Sequence, residues 1–179
     1  MRKVYVVGIG FTKIGRFFDK SLRELFAEAA IKALDDIGGE SVQALVVGNM
    51  MSSSLGEQDN LGAVLADYAG LSGIPAFKVE AACGSGGVAV YTGYSLVASG
   101  LFDVVMVGGV EKQTEYPTRI VSKGLAQASD AEYELFYGIS FTGLNALVMR
   151  KYMDCLLYTS DAAELDGVDL GGRRIIKKK

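Results

Sequence analysis

The chain contains no histidine, no tryptophan, two prolines and two cysteines in 179 residues. Each scarcity excludes something. Histidine is the side chain whose unperturbed pKa falls nearest neutrality, and enzymes that move protons there usually recruit it. Chemistry in this chain must work without it, or the sequence is incomplete. Cys83 and Cys155 are too few for a disulfide scaffold and suit a reducing compartment, which points to the cytoplasm. Charge is thin as well. The 18 basic and 21 acidic side chains leave a net charge of −3 and no broad basic footprint for nucleic acid. With 50% of its residues apolar, the chain falls outside the weakly hydrophobic, highly charged class of disordered sequences. The run Val4–Gly8 behind Met1-Arg2-Lys3 is too short for the core of a signal peptide, so no export signal is expected.

Residues 81–102 carry no charged side chain, which formally permits a membrane span. Gly, Ser and Thr are scattered through this run, and Glu80 and Asp103 bracket it tightly. It reads as a buried helix of an α/β protein, and no membrane span is expected.

Four β-rich runs recur, each ending in small residues: Val4–Val7, Leu45–Val47, Phe77–Val79 and Val104–Val107. Continuous apolar strands separated by helices imply a mainly parallel sheet with helices on both faces. The first helix places Leu22, Leu25, Phe26, Ala29, Ala33, Leu34 and Ile37 at the spacing of a buried stripe. Ser21 and Glu24 match a capping box, and Gly38 suits the position after the helix end. A second helix is expected over 59–71, with Leu61, Val64, Leu65 and Tyr68 inward. A third starts just after Cys83 and stops near Gly100. Beyond Glu111 the sequence is mixed, Tyr116-Pro117 marks a turn, and Phe141–Met153 reads as helical. The character changes at Asp154. Residues 155–179 have no continuous amphipathic period and resemble translated sequencing-adapter read-through. The expected division is therefore a domain over 1–154 and a non-native, unstructured tail over 155–179.

The residue that most invites chemistry is Cys83. It follows the third apolar run and precedes Gly84-Ser85-Gly86-Gly87, a glycine-rich entry to a helix. The positive end of a helix dipole favours the thiolate, which is the attacking form. The glycines let a bulky acyl thioester approach the backbone, and free N–H groups can hold a developing oxyanion. A strand, a nucleophile and a helix in sequence follow the logic of the nucleophile elbow. Position alone equally allows a buried structural cysteine at a tight junction.

Other signals are weaker. Gly8-Ile9-Gly10 matches the opening of a dinucleotide fingerprint, but Lys13 stands where its third glycine belongs, which argues against nucleotide binding. Asn49, Glu57 and Asp59 suit a site, a subunit interface or ordinary loop polarity. Glu111-Lys112 reads as a structural pair beside the cysteine loop. Arg119 and Lys123 suit the phosphates of a ligand or plain surface charge.

Three blocks carry a family resemblance. They are Val79–Ala89 followed by Ser99–Lys112; Gly48–Met51 with Gly56–Asn60; and the opening Val6–Lys13. Together they resemble the thiolase superfamily over residues 2–153, most closely the archaeal and sterol-carrier types. The resemblance implies a thiolase-like fold, N-terminal half only, with Cys83 as the acylated nucleophile. It also implies that the Cys83 N–H contributes to an oxyanion hole and that Gly84, Ser85, Gly86 and Gly87 contact substrate. The acyl group would pass from acyl-CoA to Cys83 and on to the enolate of a second acyl-CoA, giving a 3-ketoacyl-CoA; thiolysis runs in reverse. No metal or cofactor is implied beyond the coenzyme A thioester as substrate. Implied partners are a second copy, as homodimer or homotetramer, and a zinc-containing partner protein. The family's histidine in Gly-His-Pro, its Asn-Glu-x-Phe-like motif and its second cysteine or glycine-rich loop belong to the second half of the fold. None is present here, so the sequence is expected to be a fragment inactive alone. The alternatives are a ketoacyl-synthase-like condensing enzyme and a non-catalytic acyl-CoA or lipid-binding scaffold.

Overall fold

A computed structural model describes residues 2–38 and 40–156. The chain divides into two compact units, Met1–Gly124 and Leu125–Lys179. In the first unit α1 (Leu22–Asp36) leads to β1 (Ala44–Gly48), α2 (Ser52–Gly56), α3 (Leu61–Tyr68) and β2 (Ala76–Val79). A 3-10 turn, Ala82–Gly84, opens directly into α4 (Ser85–Ala98), and β3 (Val105–Gly109) follows. The strands form a parallel sheet in the order β2-β1-β3. Leu45 lies beside Ala76 on one side and Met106 on the other. All of β1 is buried, so its alanine, leucine and valines need not alternate with polar residues. The core joins Leu45 and Val47 to Phe26 and Ala30 of α1 and to Leu61, Leu65 and Ala66 of α3.

The expected parallel α/β architecture is therefore present, with one strand fewer. Val4–Val7 forms no strand. The segment lies along α1: the Ile9 N–H donates to Asp36 Oδ2 at 2.9 Å, and a Cβ on Gly10 would collide with the Ala29 carbonyl. Val6 is 82% exposed, and Tyr5 and Val7 are also exposed. β-branched residues make a strand only where a ladder partner is available, and contact with α1 holds this segment at a helix instead of the sheet.

The helices depart from expectation in smaller ways. The buried stripe of α1 is Leu25, Phe26, Ala27 and Ala30, while Ala33, Leu34 and Ile37 are half-buried. In α3 it is Gly62 and Ala66 that face inward with Leu61 and Leu65. Tyr68 turns outward, where the Arg23 guanidinium lies 5.4 Å from its ring centroid. That contact leaves the phenol solvated, whereas Ala66 fits the close helix–sheet packing without a polar group to satisfy. The uncharged stretch makes α4 as expected, but it is buried on one face only, through Ser85, Ala89, Gly93 and Ala98. Val90, Tyr91 and Tyr94 are exposed. Among the described residues no helix is long and apolar enough to cross a membrane.

Within the second unit, a 3-10 turn at Leu135–Tyr137 precedes α6 (Phe141–Leu156); α5 (Thr118–Ala126) stands before them in the chain. Asp130 caps the intervening turn by accepting from the N–H groups of Glu132 and Tyr133. Cys155 and Leu156 continue α6, and the remainder of the expected tail lies outside the described residues.

Candidate active site

All strands of the parallel sheet end at one edge, which gathers Gly48-Asn49, Val79-Glu80 and Gly109-Val110-Glu111. In open α/β sheets that carboxyl edge is where ligands bind. Cys83 lies just beyond it, inside the 3-10 turn between β2 and α4. Its thiol is free and exposed, so it is not a buried structural cysteine. It lines neither the cleft bordered by Met51, Leu61 and Glu111 nor the one bordered by Ala63, Leu71 and Ile74, and it is exposed at the surface.

The turn is built backward from α4. Gly84 N–H donates to the Ala81 carbonyl at 2.8 Å, and Ser85 N–H donates to the carbonyl of Ala82. Ala82 adopts φ +49°, the left-handed region that residues with a Cβ rarely enter. The Ala82 N–H donates to the Glu80 carboxylate. Ser85 closes the turn from inside: its Oγ accepts from the Ala81 N–H at 3.0 Å and donates to the Ala82 carbonyl at 2.6 Å. Gly86 and Gly87 follow in the first turn of α4, where N–H groups have no intrahelical acceptor. A Cβ on either glycine would meet nothing within 4 Å, and both residues are exposed, so no other element covers this end of the helix.

β1 supports the same junction from below. A Cβ on Gly48 would come within 2.5 Å of the Ser85 carbonyl oxygen, so only glycine allows the strand end to touch the helix start. Asn49, 2% exposed, continues from there. Its Nδ2 donates to the Val110 carbonyl at 2.7 Å and to Glu111 Oε1 at 3.0 Å, and its Oδ1 accepts from the Ser52 N–H. Glu111 Oε2 accepts from the N–H groups of Met50 and Met51. These bonds lock the ends of β1 and β3 together. The sequence-based pairing of Glu111 with Lys112 does not form, because consecutive residues leaving a strand point apart; Lys112 pairs with Glu115.

The remaining candidates are scattered. Asp59 accepts from the Ser53 hydroxyl, Glu57 closes α2 at φ +50°, and Arg119 and Lys123 are exposed. Gly8 and Gly10 pack against α1 and form no phosphate loop. Among the described residues no three carboxylates or thiols converge as a metal site. Glu80, Glu111 and the inward hydroxyl of Ser85 are the polar groups that pattern reading undervalued. The signal available was an acidic residue within two positions of each of two strand ends.

Residues 4–153 match the model of the thiolase N-terminal domain. The chain belongs to the thiolase family. It is 41% identical over 157 residues to an acetyl-CoA acetyltransferase of Methanothermobacter thermautotrophicus, covering 86% of this chain and 40% of that protein. An acetyl-CoA acetyltransferase of Methanocaldococcus jannaschii is 39% identical over 155 residues, with 86% and 39% covered. Sterol carrier protein 2 of Bos taurus is 30% identical over 145 residues, with 77% and 26% covered. The thiolase segment described here thus spans about 40% of the length of the archaeal relatives.

Proposed function

We propose that this thiolase-family chain belongs to an acyltransferase that forms or cleaves 3-ketoacyl-CoA through an acyl thioester on Cys83. The observation that carries this reading is the exposed Cys83 thiol at a strand–turn–helix elbow with open glycines behind it. The Cys83 sulfur attacks the thioester carbonyl of an acyl-CoA, the C–S bond to the protein forms, and the carbonyl oxygen becomes an oxyanion. The N–H groups of Cys83 and of Gly86 and Gly87, in the first turn of α4, are the donors proposed for it. Collapse expels coenzyme A as its thiolate and leaves the acyl group on Cys83. Transfer to the enolate of a second acyl-CoA completes the Claisen step, and no residue of this chain is assigned as its base. Gly84 and the backbone of Ser85 complete the surface offered to substrate. The archaeal relatives, both acetyl-CoA acetyltransferases, favour acetyl-CoA over the malonyl thioesters of a ketoacyl synthase. The sterol-carrier relative favours a lipid-binding scaffold as the second reading, and the exposed thiol speaks against it. A cytoplasmic homodimer or homotetramer, with a zinc-containing partner, is the assembly the family resemblance suggests.

The test is acetyl transfer to the uninterrupted protein. After incubation with acetyl-CoA, peptide mass spectrometry is expected to find one acetyl group on the peptide bearing Cys83 and none in Cys83→Ala. An unmodified Cys83 in a folded, coenzyme A-binding protein overturns the reading in favour of the scaffold.

A further inference from the structure

We infer that Ser85 is a positioning residue, whose side chain sets the oxyanion geometry of Cys83 and does not contact substrate. The inference rests on the reading of Cys83 as the nucleophile. Ser85 is 5% exposed, so its hydroxyl is withdrawn from anything that approaches the thiol. Both hydrogen-bonding roles of that hydroxyl are already taken within the turn, by the Ala81 N–H at 3.0 Å and the Ala82 carbonyl at 2.6 Å. Those groups flank the φ of Ala82, which at +49° lies in a region an alanine enters only when its surroundings impose it. Ser85 and Glu80 both hold it, since the Glu80 carboxylate takes the Ala82 N–H. Cys83 is the next residue. Because β2 and α4 are both held by the sheet, relaxation of Ala82 toward an ordinary conformation has to be taken up by the torsions of Cys83 and Gly84, which turns the Cys83 N–H and Sγ relative to the N–H groups of Gly86 and Gly87. The thiol stays exposed and able to react, but an oxyanion formed at its side no longer meets its donors.

Two reagents separate these properties in the 179-residue chain. p-Nitrophenyl acetate acylates a thiolate: the C–S bond forms, an oxyanion develops on the carbonyl, and the C–O bond breaks to release p-nitrophenolate. Iodoacetamide alkylates the same sulfur by displacing iodide and develops no oxyanion. Ser85→Ala is expected to slow acylation of Cys83 about tenfold to a hundredfold, the scale of a misplaced reacting group. Alkylation of Cys83 should stay within about twofold, with Cys155 as the internal reference thiol read by peptide mass spectrometry. Ser85→Thr, which keeps the hydroxyl, restores acylation. In an Ala82→Gly background the positive φ is unstrained, so Ser85→Ala has a smaller effect there. Equal losses in both reactions, or no loss of acylation, overturn the positioning role. Neither result depends on coenzyme A, so failure of acetyl transfer from acetyl-CoA would strike the functional reading and leave this one to be judged separately.

Discussion

Glu111 commits both carboxylate oxygens to the turn after β1, one to Asn49 and the other to the N–H groups of Met50 and Met51. Hydrogen bonds to an ionised group are worth about 1.5–3 kcal/mol each when protected, and less at an exposed residue such as this one. Glu111→Gln keeps the shape but turns an NH2 donor toward N–H donors. It is expected to destabilise the first unit by about 1–2 kcal/mol, read as a lower urea midpoint at unchanged slope. Asn49→Ala should cost a similar amount, and the double variant less than the two losses together, because both residues serve one network. Strict additivity would mean that the two side chains act independently. This network was out of reach of pattern reading, since Asn49 and Glu111 stand far apart in sequence and meet only because β1 and β3 are neighbours in the sheet. The strand–turn–helix setting of Cys83, by contrast, was legible because its marks, a preceding apolar run and following glycines, are local.

The helix most completely specified by its own sequence is α1. Ser21 Oγ accepts from the Glu24 N–H at 3.2 Å and Glu24 Oε2 accepts from the Ser21 N–H at 2.6 Å, the reciprocal capping box. Glu28 bridges Lys20 at 2.6 Å and Lys32 at 3.1 Å. The backbone N–H of Ser21, and then its hydroxyl, hold the Glu24 carboxyl below the usual glutamate range. The Lys20 ammonium, and then that of Lys32, do the same for Glu28, whose hydrogen bond in turn raises Lys20. A depressed carboxylate stabilises the fold above its unfolded pKa and loses that contribution as pH falls through its folded pKa. Raised Lys20 contributes below its unfolded pKa and loses that as pH rises through its folded one. The thermal midpoint should therefore decline at both extremes, and Glu24→Gln with Glu28→Gln should flatten the acid arm. An acid arm of unchanged slope in that variant would assign it to other carboxylates. Strand β1 was visible as an apolar run because a covered parallel strand has no polar face to hide, and the mostly half-buried β2 and β3 showed β-rich runs beside it. Val4–Val7 has the same composition and makes none, because the sequence of a strand carries no record of which neighbour it finds.

At the scale of the whole molecule, a thiolase segment whose proposed nucleophile, Cys83, is exposed has no histidine to serve as base. A positioned base contributes about 10²–10⁴-fold to removal of a weakly acidic proton. Purified 1–179 is expected to show no coenzyme A-dependent cleavage of acetoacetyl-CoA above a Cys83→Ala control, measured by loss of the enolate absorbance. Robust thiolysis lost in that control would require another group of this chain to act as base. The placement of β1 has a further consequence, in time rather than in space. Its partners, Ala76–Val79 and Val105–Gly109, are both made after it. While the ribosome works, Ala44-Leu45-Val46-Val47 must wait with no ladder on either side, and the entropy of closing those long loops has to be met before pairing repays it. An uncharged, β-prone stretch in that condition is a target for chaperones and for other nascent chains. The strand buried deepest in the finished protein is thus the one longest at risk during its birth.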